Sequence, residues 1–176
     1  MNPFELHIPT RIYFGEEKKE SFFDQLTEYG SNVLLVIGGG SVKRLGFLDK
    51  VLKSLEHRDI KVTLFEGIEP NPHAQTIDKA AALGKNEKVD FVLAFGGGSV
   101  MDASKAIAGL IHDNENEIWP YVLGEPKYKK MKGALPVAAI PTTAATASEV
   151  TAHAVISNPE VKGKSPVSYP FMKPSA

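Results

Sequence analysis

Apolar residues in this chain fall into short unbroken runs separated by segments with helical spacing. Residues 33–37 and 91–95 are continuous apolar stretches, the pattern of strands buried on both faces. Residues 60–65 (Ile-Lys-Val-Thr-Leu-Phe) and 137–140 read as two more strands, the latter entered through Pro136 and left through Pro141. Between them the spacing predicts helices. The first covers residues 16–29, with Phe22, Phe23 and Leu26 on one face. The second follows Ser41, a good N-cap, and carries Leu45, Leu48, Leu52 and Leu55 at spacings of three, four and three. A third runs from His73 to about Gly84, and a fourth from Ser99 to about Ile111. Ile12-Tyr13-Phe14 is expected to end a short strand turned by Gly15. Residues 151–156 predict a strand of different character, antiparallel or at an edge.

Strands alternating with helices imply right-handed βαβ units. The expected fold is therefore α/β, a Rossmann-like, mostly parallel sheet flanked by helices. Residues 1–157 read as one such domain. Residues 158–176 hold four of the 12 prolines and no clear terminal element. A polar loop at 113–133 contains Trp119-Pro120-Tyr121 and a basic patch at 127–132.

Composition narrows the function classes. The 176 residues fit one domain, with no cysteine for a disulfide, thiolate nucleophile or sulfur-ligated metal. Twenty basic and 21 acidic residues give a net charge of −1, with no excess to neutralise nucleic acid. No apolar run approaches a membrane span, and the N-terminus lacks the pattern of a signal peptide. A cytoplasmic enzyme or binding domain is expected.

Two segments carry candidate chemistry. Val33-Leu34-Leu35-Val36-Ile37-Gly38-Gly39-Gly40-Ser41-Val42 is echoed by Phe91-Val92-Leu93-Ala94-Phe95-Gly96-Gly97-Gly98-Ser99-Val100. Each reads as a buried strand, three glycines, then Ser-Val opening a helix, where backbone N–H groups and the helix dipole favour an anion. Met101 breaks the G-x-G-x-x-G dinucleotide pattern and the G-x-S-x-G elbow, and no Gly-Lys-Ser/Thr follows. The alternative for the second loop is a tight, capped turn. The other segment, residues 142–151, places five hydroxyl side chains in ten positions directly after a strand.

Together, Gly-Gly-Gly-Ser-x-x-Asp-x-x-Lys and Ile-Pro-Thr-Thr-Ala-x-Thr-x-Ser-Glu-Val-Thr resemble the iron-containing (group III) alcohol dehydrogenase family. That superfamily includes glycerol dehydrogenase and dehydroquinate synthase. Phe14-Gly15, Pro70-Asn71-Pro72 and the Trp119 loop stand at family-like places. The resemblance implies that Gly97, Gly98 and Ser99 bind a pyrophosphate. It implies that Thr142, Thr143 and Thr146 line the adenosine and phosphates, and that Asn71 lies near the adenine pocket. Asp102 matches a position facing the nicotinamide and is the candidate catalytic residue; it reads equally as a first-turn carboxylate favoured by the helix dipole. Lys105 reads equally as a solvated helix residue. The family usually has glycine where this chain has Ala145 and Ala147.

In this family an acid after the first glycine-loop strand holds the ribose hydroxyls and repels a 2′-phosphate. Gly38, Gly39 and Ser41 occupy that place here, with Lys43 and Arg44 close behind and no carboxylate before Asp49. This favours NADP(H) over NAD(H); otherwise Lys43 and Arg44 are simply exposed helix residues. The family's chemistry also needs divalent iron or zinc, held by one Asp and three His. The five histidines, His7, His57, His73, His112 and His153, are never closer than 16 positions, and none follows an Asp by four. No metal ligand is therefore assigned. The resemblance places the metal in a C-terminal helical domain that would follow residue 176, with residues 158–176 as the connector. The expected parent interconverts small alcohols or diols with aldehydes, as a homo-oligomer. The alternatives are a stand-alone NAD(P)-binding module without catalysis and a glycerol dehydrogenase relative.

Overall fold

The computed structural model describes residues 7–144 and 146–176. Four parallel strands form the central sheet: β1 (Asn32–Gly38), β2 (Lys61–Ile68), β3 (Phe91–Gly96) and β4 (Val137–Pro141), in the order β2-β1-β3-β4. The helices are α1 (Lys19–Leu26), α2 (Ser41–Arg44), α3 (Phe47–Glu56), α4 (Ala74–Asn86) and α5 (Gly98–Asp113). A separate antiparallel pair, β5 (His153–Asn158) and β6 (Gly163–Ser168), follows.

Alternate residues of the central strands feed two cores. Val33, Leu35, Ile37, Phe91, Leu93 and Phe95 pack with Phe23 and Leu26 of α1 and Leu48, Val51 and Leu55 of α3. Leu34, Val36, Val92 and Ala94 pack on the other face against α4, α5 and the β5-β6 pair. The inner strands are therefore apolar throughout residues 33–37 and 91–95, because neither face meets water there. Burying one such Leu, Ile or Phe is worth about 1.5–3 kcal/mol.

The connections set the site. From β1 the chain moves outward to β2, then crosses back over β1 to reach β3 and β4. Connections leave β1 and β3 in opposite senses, so a crevice opens between their carboxyl ends, where α/β sheets bind ligands. Both glycine triplets lie there.

Three sequence expectations change. Residues 12–14 form no strand, and just before them Arg11 N–H donates to the Ser175 carbonyl at 3.0 Å. The helix after Ser41 is two helices, broken at Gly46, whose φ of 71° lies in the left-handed region. Leu45 consequently leaves the apolar face and is 68% exposed, while Leu48 and Leu55 stay buried. The Pro-rich tail is docked rather than loose. It contributes β6, and Ser175 N–H donates to the Val137 carbonyl at 2.7 Å while Ala139 N–H donates to the Ala176 carbonyl at 2.8 Å. These bonds cover the outer edge of β4. The edge-strand expectation for residues 151–156 is met by the antiparallel β5. Among the described residues no helix is long and apolar enough to cross a membrane.

Candidate functional site

The first glycine loop leaves β1 at Gly38. Gly40, with φ 93°, is the N-cap of the four-residue α2, and Ser41 is its first residue rather than its cap. Gly39 and Ser41 are exposed. The Lys43 ammonium pairs with the Glu66 carboxylate at 2.8 Å, and Arg44 Nη1 lies 3.4 Å from the Gly39 carbonyl oxygen. Neither cation stands free over the loop.

The second glycine loop is built differently. Gly97 is the N-cap of α5, a helix of 16 residues, so four turns of peptide dipole point at the loop. The hydroxyl segment after β4 closes directly on it. Thr142 N–H donates to the Gly96 carbonyl at 3.0 Å. A β-carbon on Gly98 would stand 2.6 Å from Thr146 Cγ2, so only glycine permits this approach. Thr142, Thr143 and Thr146 are exposed on the segment, facing solvent beside the loop.

Asn71 reaches the same place from the turn before α4. Its N–H donates to Ser99 Oγ at 3.3 Å, and Lys164 of β6 donates to its Oδ1 at 2.6 Å. Ser99 is thus an acceptor for the Asn71 turn and makes no side-chain cap bond to α5. Sequence reasoning missed Lys164, because strand pairing, not local spacing, carries it to the loop.

Asp102 lies one turn into α5. Its Oδ1 accepts from Ser148 Oγ at 2.5 Å, its Oδ2 accepts from Val155 N–H at 3.0 Å, and the Lys105 ammonium is 3.2 Å away. Lys105 is fully buried, not solvated. Burial pushes its ammonium below the usual lysine range, against the pull of Asp102 and Glu149. Ala147 has a φ of 51°, the left-handed region in which a β-carbon costs about 1–2 kcal/mol. That is the physical reason a glycine suits this position. Ala145 lies outside the described residues.

The structure thus brings together Gly97, Gly98, Ser99, Asn71, Thr142, Thr143 and Thr146 around one helix terminus. Gly38, Gly39 and Ser41 lie across the crevice, at the end of the neighbouring strand β1 and in the loop and helix that follow it. The N–H groups of the loop and the exposed threonine hydroxyls beside it are donors of the kind an anion requires. Among the described residues, no three His, Asp or Glu side chains converge as metal ligands. The described residues do not fit an iron centre.

A parallel α/β chain with two glycine loops at its switch point is of the Rossmann-like, doubly wound class. A family model for the iron-containing alcohol dehydrogenases matches residues 9–176, and the chain belongs to that family. It is 42% identical over 174 residues to NADH-dependent butanol dehydrogenase B of Clostridium acetobutylicum, covering 99% of this chain and 44% of that one. To the NADPH-dependent aldehyde reductase YqhD of Escherichia coli it is 45% identical over 157 residues, covering 89% and 40% respectively. The crystal structure of NADH-dependent butanol dehydrogenase A from Thermotoga maritima superposes with a TM-score of 0.90 at 35% identity, covering 99% of this chain and 43% of that one. The chain thus spans less than half the length of these relatives.

Proposed function

We propose that this chain is the dinucleotide-binding part of an NAD(P)-dependent oxidoreductase that interconverts small alcohols or diols with aldehydes. The observation that carries this reading is the hydroxyl segment closed on the second glycine loop at the N-terminus of α5. In this reading Gly97, Gly98 and Ser99 take the pyrophosphate, with N–H groups and helix dipole stabilising its charge. Thr142, Thr143 and Thr146 line the adenosine and phosphates, Asn71 borders the adenine, and Lys164 adds a cation beside it. Asp102 lies toward the nicotinamide end. The bound dinucleotide supplies the hydride acceptor or donor; this chain's residues bind and orient it.

Gly38, Gly39 and Ser41 border the ribose. The first loop carries no carboxylate to repel a 2′-phosphate, which favours NADP(H) over NAD(H). Lys43 is held by Glu66 in an exposed pair, and such pairs are worth only about 0–1 kcal/mol, so a phosphate can compete for it. In this reading the described residues, among which no three His, Asp or Glu side chains converge, hold the dinucleotide and not the family's divalent metal. Residues 1–157 are read as the nucleotide domain, with residues 158–176 packed against it and placing Lys164 at the loop. A cytoplasmic homo-oligomer is the proposed setting.

Calorimetric titration of the 176-residue chain with NADP⁺ and NAD⁺ tests this. The expected result is binding of both, tighter for NADP⁺, without oxidation of a short alcohol. Absence of binding by either dinucleotide overturns the reading.

A further inference from the structure

We infer that Lys105 is a positioning residue that fixes the hydroxyl segment against the second glycine loop. This role presupposes dinucleotide binding at that loop. A buried ammonium costs several kcal/mol unless its charge and its three protons are satisfied. Lys105 meets that cost with acceptors drawn almost wholly from one segment. Its Nζ lies 2.7 Å from Ser148 Oγ, 3.1 Å from the Ser148 carbonyl oxygen and 3.2 Å from that of Thr151. The His153 carbonyl is a further acceptor, and Asp102 supplies the countercharge.

The placement of those acceptors gives the role. Residues 148–152 lie in no strand or helix, so their carbonyls lack ladder partners. The ammonium of α5 stands in for a neighbouring strand. From Ser148 the connection continues to the loop: Ser148 N–H donates to Thr146 Oγ1 at 3.3 Å, and Thr146 covers Gly98. Asp102 holds the other side of the same segment through Ser148 Oγ and the Val155 N–H. One ion pair on the first turns of α5 therefore ties the hydroxyl segment and the start of β5 to the helix whose N-terminus carries the glycines. A lysine that only filled the core would need its methylenes alone; here the polar end makes the connection.

Three variants of the full 176-residue chain test this: Lys105→Met, Ser148→Ala and Ser148→Thr. Each is read by NADP⁺ affinity and by amide hydrogen exchange. Lys105→Met keeps the aliphatic length and removes the ammonium. It is expected to weaken NADP⁺ binding about tenfold or more, the equivalent of one lost charge-assisted hydrogen bond. Exchange should quicken at residues 147–155 and stay unchanged in β3. Ser148→Ala is expected to weaken binding about threefold to tenfold, and Ser148→Thr, which restores the hydroxyl, to recover it to within about twofold. Should Lys105→Met fail to fold, the two Ser148 variants carry the test. Binding within twofold of the parent in Ser148→Ala, or a threonine variant as weak as the alanine one, overturns the proposal. If the parent chain binds no dinucleotide, the functional reading fails by itself. Exchange still decides the role of Lys105: unchanged protection at residues 147–155 overturns it, and selective loss supports it.

Discussion

The two Gly-Gly-Gly-Ser-Val turns begin alike and end differently. After Gly38-Gly39-Gly40, α2 lasts four residues and stops at Gly46. After Gly96-Gly97-Gly98, α5 runs for 16 residues through the core. The first loop is open, with no atom of the described residues within 4 Å of a β-carbon built on Gly39. The second is closed, with Thr146 against Gly98 and Asn71 bonded to Ser99. The difference starts within the triplets, where the N-cap is the left-handed Gly40 in one and the extended Gly97 in the other, and it continues downstream. Val42-Lys43-Arg44-Leu45-Gly46 gives exposed charges and a helix break, whereas Val100-Met101-Asp102-Ala103-Ser104-Lys105 gives apolar residues and a buried ion pair. The same five residues form a closed seat where the following helix is long and another segment is fastened over it.

Substitutions that treat the loops unequally test this contrast. Gly98→Val should have the largest effect, because its β-carbon overlaps Thr146. NADP⁺ affinity is expected to fall more than tenfold by calorimetry, whereas Gly39→Ala should stay within about threefold. Gly46→Ala forces a β-carbon into the left-handed region and should cost about 1–2 kcal/mol of stability in denaturant unfolding. It should leave binding unchanged if the first loop is the looser partner. Ala147→Gly removes the same strain at the second loop. After the entropy cost of an added glycine, about 0.5–1 kcal/mol of stabilisation should remain.

Two further changes act more weakly. Glu66→Gln releases Lys43 and should raise the preference for NADP⁺ over NAD⁺ about twofold, in line with the small worth of an exposed pair. Asp78 on α4 is a control remote from both loops. Its carboxyl is pushed up to about 6, chiefly by burial, against the Ile118 N–H that it accepts. A carboxyl with a raised folded-state pKa favours folding when protonated. Its contribution is full below about pH 4 and is lost as pH rises through about 6. Asp78→Asn should flatten that part of the stability–pH curve and leave dinucleotide affinity unchanged.

Much of the sheet was legible because its cause is local. Residues 33–37 and 91–95 are buried on both faces and read as such from apolar runs alone. The glycine triplets, Asn71 and the threonines were legible as motifs. Lys105 was not. Its spacing from Asp102 is visible, but its acceptors come from residues 148–153, more than 40 positions away. Lys164 was missed for the same reason, since the β5-β6 pairing brings it to Asn71. The four leucines after Ser41 suggested a continuous helix because periodicity outweighed one glycine; the left-handed Gly46 decided otherwise. The docked tail was hidden because its partner is the edge of β4, not a neighbour in sequence.

The central claim is that the second loop and its hydroxyl segment form the phosphate seat. Titrating the ¹⁵N-labelled chain with NADP⁺ and following its backbone amide signals tests this most directly. The largest shifts are predicted at Gly97, Gly98, Ser99, Thr142, Thr143 and Thr146, with smaller ones at Gly39 and Ser41. Saturable binding that moves only the first loop, or neither loop, would contradict the account.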